Sequence, residues 1–322
     1  MVRPDGFGFD EQTAATNTFQ THVSLSLKEI RARTNHEFDA MVDSLRQHGI
    51  QVVVFEDHED AASKPNAVFP NNWLSMWPDG HVFLYPMATD SRRIERSFSA
   101  LQELTRQFKI TEVTDIAEVE AYGNYLESTG VMIFDHHNRI VYGCLSPRCD
   151  ASLFTSHALQ LGYEPALFEA YDAAGAAIYH TNVMMGIQST TAVICAEAIT
   201  DESVRAEVLS MLTRTGHKIV EITQAQMTSF CGNVLELQNE AGELFLAMSQ
   251  SAFGAFTPEQ RRILSCDKTL LPFDITTIET IGGGSVRCML AEVFLPKKGM
   301  VSSGRMGAIH RQTHAHSELR LS

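Results

Sequence analysis

The stretch His180-Thr-Asn182-Val-Met-Met through Thr191-Ala-Val-Ile-Cys195 to Lys218-Ile-Val-Glu-Ile222 decides the fold. It reads as a short apolar strand opened by polar residues, a second apolar strand, and an amphipathic helix over about 202–215. A return strand completes the unit. The same order of signals occurs elsewhere in the chain. First strands open at Phe69-Pro-Asn-Asn72-Trp-Leu, Leu126-Glu127-Ser-Thr-Gly-Val, Cys231-Gly-Asn233-Val-Leu and Arg287-Cys288-Met-Leu. The positions Asn72, Glu127, His180, Asn233 and Cys288 are separated by 55, 53, 53 and 55 residues. So regular a period means one supersecondary unit used repeatedly.

The remaining elements keep step with that period. Second strands are predicted at His81–Met87, Arg139–Leu145 and Glu243–Met248, and return strands at Gln51–Phe55, Ile110–Val113, Tyr163–Phe168 and Thr269–Phe273. Helices are predicted at about 24–48, 91–108, 150–161 and 257–265. The last opens with Thr257-Pro-Glu-Gln260, a cap, a first-turn proline and a capping-box glutamine. Strands alternating with helices predict an α/β fold with sheets inside and helices outside. A linear array needs polar end units, which are missing here, so five ββαβ units closing around a pseudo-fivefold axis are expected. Closure gathers the first-strand starts. Asn72, Glu127, His180, Asn182 and Cys288 then face one central pocket.

Bulk properties narrow the function. The 322 residues are 44% hydrophobic and 20% charged, enough for a large core, and no linker-like break divides them. A single catalytic domain over 1–305 with a polar, histidine-bearing tail over 306–322 is expected. The net charge of −14 excludes a nucleic-acid or anionic-membrane surface. No apolar run approaches the ~20 residues of a membrane helix, and the start has no apolar signal region. Six cysteines without paired spacing point to reduced thiols and a cytoplasmic setting. His136-His137 reads as a solvated turn, and Cys144 and Cys149 match no zinc spacing, so no metal is expected. Gly282-Gly-Gly284 is not followed by the helix and Lys-Ser or Lys-Thr of a phosphate loop.

Cys288, at the mouth of a first strand after a glycine-rich bend, is the candidate nucleophile. A thiolate wants a neighbouring acid/base, and that group wants an orienting carboxylate. His180 and Glu127 supply both in the same repeat phase.

These residues resemble the pentein guanidino-group-modifying enzymes, which include arginine deiminases, dimethylarginine dimethylaminohydrolases and amidinotransferases. The chain is most similar to the bacterial citrulline utilization hydrolases. The resemblance rests on Asn66-Ala-Val-Phe-Pro-Asn-Asn72-Trp, Leu145-Ser-Pro-Arg148, His180-Thr-Asn182-Val-Met-Met and Gly282-Gly-Gly-Ser-Val-Arg-Cys288-Met, and spans about residues 1–300. It implies the pentein α/β-propeller with a central active site. It implies Cys288 as nucleophile, His180 as general acid/base and Glu127 as its orienting carboxylate. Arg148 and Arg92 would bind a substrate α-carboxylate, which a bidentate guanidinium suits. Asn66, Asn72 and Asn182 would contact the reacting group. Dimethylarginine hydrolases carry aspartate where this chain has Asn66 and Asn72, and an amide suits a neutral ureido group better than a guanidinium. The expected reaction is citrulline hydrolysis to ornithine, ammonia and carbon dioxide without a cofactor. A small amino acid is the expected partner, and a homo-oligomer stays open. Arginine dihydrolase, arginine deiminase, amidinotransferase and a non-catalytic binding member of the fold are the alternatives.

Overall fold

The computed structural model describes residues 1–56 and 63–299; the tail expected over 306–322 lies outside them. Four of the repeats form three-stranded sheets of identical order. The first is β1 (Leu74–Met76), β2 (His81–Leu84) and β3 (Glu112–Asp115), and the second β4 (Ile133–Asp135), β5 (Ile140–Cys144) and β6 (Glu164–Phe168). The third is β7 (Met185–Ile187), β8 (Thr191–Ile194) and β9 (Lys218–Glu221), and the fourth β10 (Leu235–Gln238), β11 (Leu244–Ser249) and β12 (Thr269–Phe273). In each, the middle strand pairs antiparallel with the first and parallel with the last, as Met185↔Ile194 and Ile194↔Glu221 do in the third.

Middle strands are the most apolar, and β5 and β8 are buried along their whole length. A continuous apolar run is what a strand covered on both faces requires. Helices Leu27–Gln47, Ala151–Gln160, Glu202–Arg214 and Pro258–Leu264 fall where the pattern put them. Their starts are set locally: Ser26 with Glu29 and Thr257 with Gln260 form capping boxes, and Asp150 and Asp201 cap the other two. The single helix expected over 91–108 is instead two, Asp90–Arg93 and Phe98–Gln107, because Ser97 accepts from the Ala100 N–H and starts a new helix.

The fifth unit departs from the expectation. Its return segment and its first strand come from opposite parts of the chain, and among the described residues no contiguous second strand joins them. What remains is two isolated bridges, Val2↔Phe55 and Met76↔Val293. Among the described residues four sheets, not five, are therefore formed. An apolar groove lined by Val2, Val53, Trp73, Leu290 and Leu295 stands beside these segments. No described helix is long and apolar enough to cross a membrane.

Candidate active site

Three of the four first strands are preceded by one helical turn, and the polar residues lie in or just before those turns. Pro70–Asn72 precedes β1, Ser128–Val131 precedes β4, and Thr181–Met184 precedes β7. Glu127 and His180 are the residues just before their turns. Cys288 lies inside a 3-10 turn, Val286–Met289, and not at a strand mouth as its sequence suggested. The turns pack against one another, and this brings distant residues together.

Glu127 and His180 meet directly, with Oε2 2.7 Å from the imidazole Nε2. The carboxylate also accepts from the Ala88 N–H at 3.0 Å and from Arg148 Nη1 at 3.3 Å. Its position is set by an unusual backbone: Ser128, the next residue, has φ of 41°, a conformation costly for a non-glycine residue. The Ser128 hydroxyl donates to the Leu74 carbonyl at 3.1 Å and holds the bend. Burial alone would raise the Glu127 pKa, but Arg148, His180 and Arg92 outweigh it and hold the carboxyl far below its usual range. Burial pushes His180 down to about 4, against the pull of Glu127. The imidazole is thus neutral at pH 7. With Nε2–H given to Glu127, its lone pair sits on Nδ1, which is buried and unpartnered.

His180, Cys288, Asn66, Asn72, Arg92, Arg148, Tyr179 and the three glycines 282–284 line one narrow cavity. Its free volume is about 10 Å³, roughly what one water occupies. Glu127 stands behind His180 and Asn182 behind the sulfur. Asn182, expected on the reacting group, turns its amide nitrogen to Cys288 Sγ at 3.5 Å. Arg148 lines the cavity, but its guanidinium is engaged by Glu127, the Thr13 carbonyl at 3.1 Å and the Thr16 hydroxyl at 2.8 Å. Arg92 is not the exposed helix-start charge it could have been. Only 3% exposed, it pairs with Glu95 at 2.7 Å and donates to Asn72 Oδ1 at 3.2 Å and to the Phe69 carbonyl at 3.0 Å. His136 and His137 lie in an exposed turn. Among the described residues no three histidine, cysteine or acidic side chains cluster as metal ligands.

Two amides face the cavity in fixed orientations. Asn72 Oδ1 accepts from Arg92, so its Nδ2 points away, buried and without a partner. Asn66 Nδ2 donates to Asp10 Oδ2 and to the Thr13 hydroxyl, both at 3.1 Å, which leaves Oδ1 unpartnered. Flipping either amide would set like against like. Gly130 is required beneath them: a Cβ there would lie 2.5 Å from Asn72 Nδ2 and 3.0 Å from the His180 ring. The glycines 282–284 serve packing as well, since a Cβ on Gly282 or Gly284 would strike the Phe69 ring. Gly283, at φ of 62°, offers its carbonyl to the Tyr179 hydroxyl at 2.6 Å and to Asn17 at 3.1 Å.

Several of these groups had no visible signal in the sequence. Thr13 and Asn17 reach the cavity from a segment outside the repeat, and Asp10 and Thr16 of the same segment hold Asn66 and Arg148. Glu95 and Tyr179 are legible only as neighbours of Arg92 and His180.

Comparison with known proteins places the chain in a family. A family model described as N,N dimethylarginine dimethylhydrolase, eukaryotic, matches residues 3–295. Comparison with curated protein sequences finds no match. Among solved structures, the N-terminal domain of ArgZ, an arginine dihydrolase from the ornithine-ammonia cycle in Cyanobacteria, matches as a substrate-bound variant. The TM-score is 0.69 at 16% identity, covering 92% of this chain and 98% of that one. AgrE in complex with ornithine and NAD+ matches with a TM-score of 0.70 at 15% identity, over 93% of this chain and 39% of that one. A dimethylarginine dimethylaminohydrolase adduct with S-methyl-L-thiocitrulline matches with 0.59 at 12% identity, over 89% and 96%. The chain spans about two-fifths of full-length ArgZ, 40%. At these identities the solved structures speak for the fold, and the family model for descent. The chain belongs to the pentein guanidino-group-modifying enzymes, in the family described as N,N dimethylarginine dimethylhydrolase, eukaryotic.

Proposed function

We propose that the protein is a cysteine-dependent hydrolase of C–N bonds in ureido and guanidino amino acids, with citrulline as its substrate. The observation that carries this reading is the pair of orphan amide atoms, a donor on Asn72 and an acceptor on Asn66. A ureido group has an oxygen for the first and N–H groups for the second. A guanidinium has only donors and leaves the Asn72 N–H unpaired, at the cost of a buried unsatisfied group. The wall supports the same choice. It carries two guanidinium groups, Arg92 and Arg148, and no carboxylate; Asp10 and Glu95 stand behind, one bonded to Asn66 and the other to Arg92.

In this reaction Cys288 gives its proton to His180 Nδ1 and the thiolate attacks the ureido carbon. A C–S bond forms and the carbonyl electrons move to oxygen. As they return, the bond to the side-chain nitrogen breaks, that nitrogen takes the proton from His180, and ornithine departs. Water then gives a proton to His180 and attacks the S-carbamoyl carbon. The C–S bond breaks, the sulfur recovers a proton, and carbamic acid leaves to decay to ammonia and carbon dioxide. Glu127 holds the imidazole tautomer throughout. Arg92 or Arg148 meets the α-carboxylate once substrate displaces its present partners.

A second reading, arginine dihydrolase, is favoured by the fold likeness to ArgZ and AgrE. Both are tested by one assay in which purified protein receives citrulline or arginine and ornithine, citrulline and ammonia are measured. Ornithine from citrulline without an added amine supports the first reading. Ornithine from arginine only, with citrulline inert, replaces it by the second.

A further inference from the structure

Cys288 Sγ is held between two amides. Asn233 Nδ2 lies 3.3 Å from it and Asn182 Nδ2 3.5 Å. The amide oxygens of the same residues are farther, at 3.7 and 3.8 Å. Asn233 is wholly buried, and both ends of its amide are fixed. Oδ1 accepts from the Arg287 N–H at 3.0 Å, and Nδ2 donates one hydrogen to the Asn182 carbonyl at 2.9 Å. The second hydrogen of Nδ2 is left for the sulfur. A flipped amide would lose both backbone bonds, so the donor cannot turn away.

The backbone is shaped for this contact. Phe230 adopts a left-handed φ of 60°. Gly232 then lies against the chain of the third unit, where a Cβ would come within 2.4 Å of the Val183 carbonyl. Only that close approach lets Asn233 reach the Asn182 carbonyl and the sulfur together.

We propose that Asn233 is a catalytic residue that donates to the Cys288 sulfur and favours its thiolate form, with Asn182 as the weaker second donor. This rests on Cys288 being the nucleophile of the reaction proposed above. N–H donors stabilise the charged sulfur more than the neutral thiol, and an amide does so without adding a charge that would repel substrate. The other ionisable groups around the cavity are His180, Tyr179, Arg92 and Arg148, with Glu127, Asp10 and Glu95 behind. Arg287 is directed away, to the Leu290 carbonyl and Glu292.

The test is the pH profile of iodoacetamide alkylation, followed by the mass of the Cys288 peptide, in the full chain. A hydrogen bond to a charged group is strong enough that Asn233→Leu should move the profile midpoint up by about one pH unit or more. The acid limb of kcat/KM should move with it. Should the leucine variant not fold, Asn233→Asp takes its place. It keeps the acceptor for the Arg287 N–H, removes the donor, and should move the midpoint further. A folded variant with an unchanged midpoint overturns the assignment, even if turnover is lost, since a merely structural residue would leave the thiol's titration alone. Alkylation needs no substrate. Failure of the citrulline reading would show separately, as absence of ornithine from the unsubstituted protein.

Discussion

Among the buried histidines of the described residues, His157 and His180 are built for opposite ends. His157, on helix Ala151–Gln160, meets the Tyr85 hydroxyl at 2.9 Å; that hydroxyl meets Ser75 Oγ at 2.8 Å, which takes the Trp77 N–H at 2.8 Å. His180 meets a carboxylate at 2.7 Å and leaves its other ring nitrogen unpartnered against the cavity. Burial holds both imidazoles near pKa 4, so protonation state does not distinguish them. Partner and opening do. A neutral chain of hydroxyls ties two elements together, whereas a carboxylate on one side and an unfilled nitrogen on the other make a group that can receive a proton. Arg148 completes the second arrangement, because its charge balances Glu127 and lets the imidazole stay neutral.

The comparison can be broken at several points. Cys288→Ser should bring turnover of citrulline below detection with the fold intact, since a serine hydroxyl needs far stronger activation; retained turnover removes the reason for an open nitrogen on His180. His180→Ala should lower kcat by about 10²–10⁴-fold, and His157→Ala should leave kcat nearly unchanged while lowering stability by about 1–3 kcal/mol. Equal losses of activity in the two would erase the distinction. Glu127→Gln should cost less than His180→Ala, as the amide still accepts from the ring. Asn72→Asp should shift the kcat/KM ratio towards arginine by about tenfold, the equivalent of one pK unit; an unchanged ratio would mean that Asn72 does not touch the reacting group.

The remaining effect is on stability. An imidazole with a folded pKa of about 4 against an ordinary 6.5 leaves the folded state less protonated than the unfolded one between those values. Its contribution is full above pH 6.5 and is lost as pH falls towards 4, about 3 kcal/mol for His157. The melting temperature should decline over that window, and less steeply in His157→Gln.

The repeat of 53 to 55 residues carried most of the fold, because a strand–strand–helix–strand unit must bury the same apolar pattern each time. It also carried the meeting of Glu127, His180 and Cys288, since one phase means one place in each unit. It could not show that the fifth unit is held by isolated bridges among the described residues, which depends on how segments far apart in sequence meet. Nor could it show the helix Thr276–Gly282, whose last residues the triple glycine masked as a bend. The side from which Asp10, Thr13 and Asn17 close on the site was equally hidden. Those residues act through contacts made 53 to 266 positions away, and no local periodicity reports such a contact.

One of those contacts bears on how the molecule is made. Asn17 bonds the Gly283 carbonyl across 266 residues, and Cys288 meets Asn182 across 106. On a ribosome the wall formed by residues 10–20 is synthesised long before the turn that carries the thiol. The four sheets each close within a short loop and can form as they emerge, but the cavity cannot. Contacts this distant in sequence are slow to find, since their loop-closure entropy is met before any packing rewards it. The cavity around Cys288 therefore closes only once the segment before residue 20 has met the segment after residue 280, and a chain stopped before residue 288 lacks one of its walls.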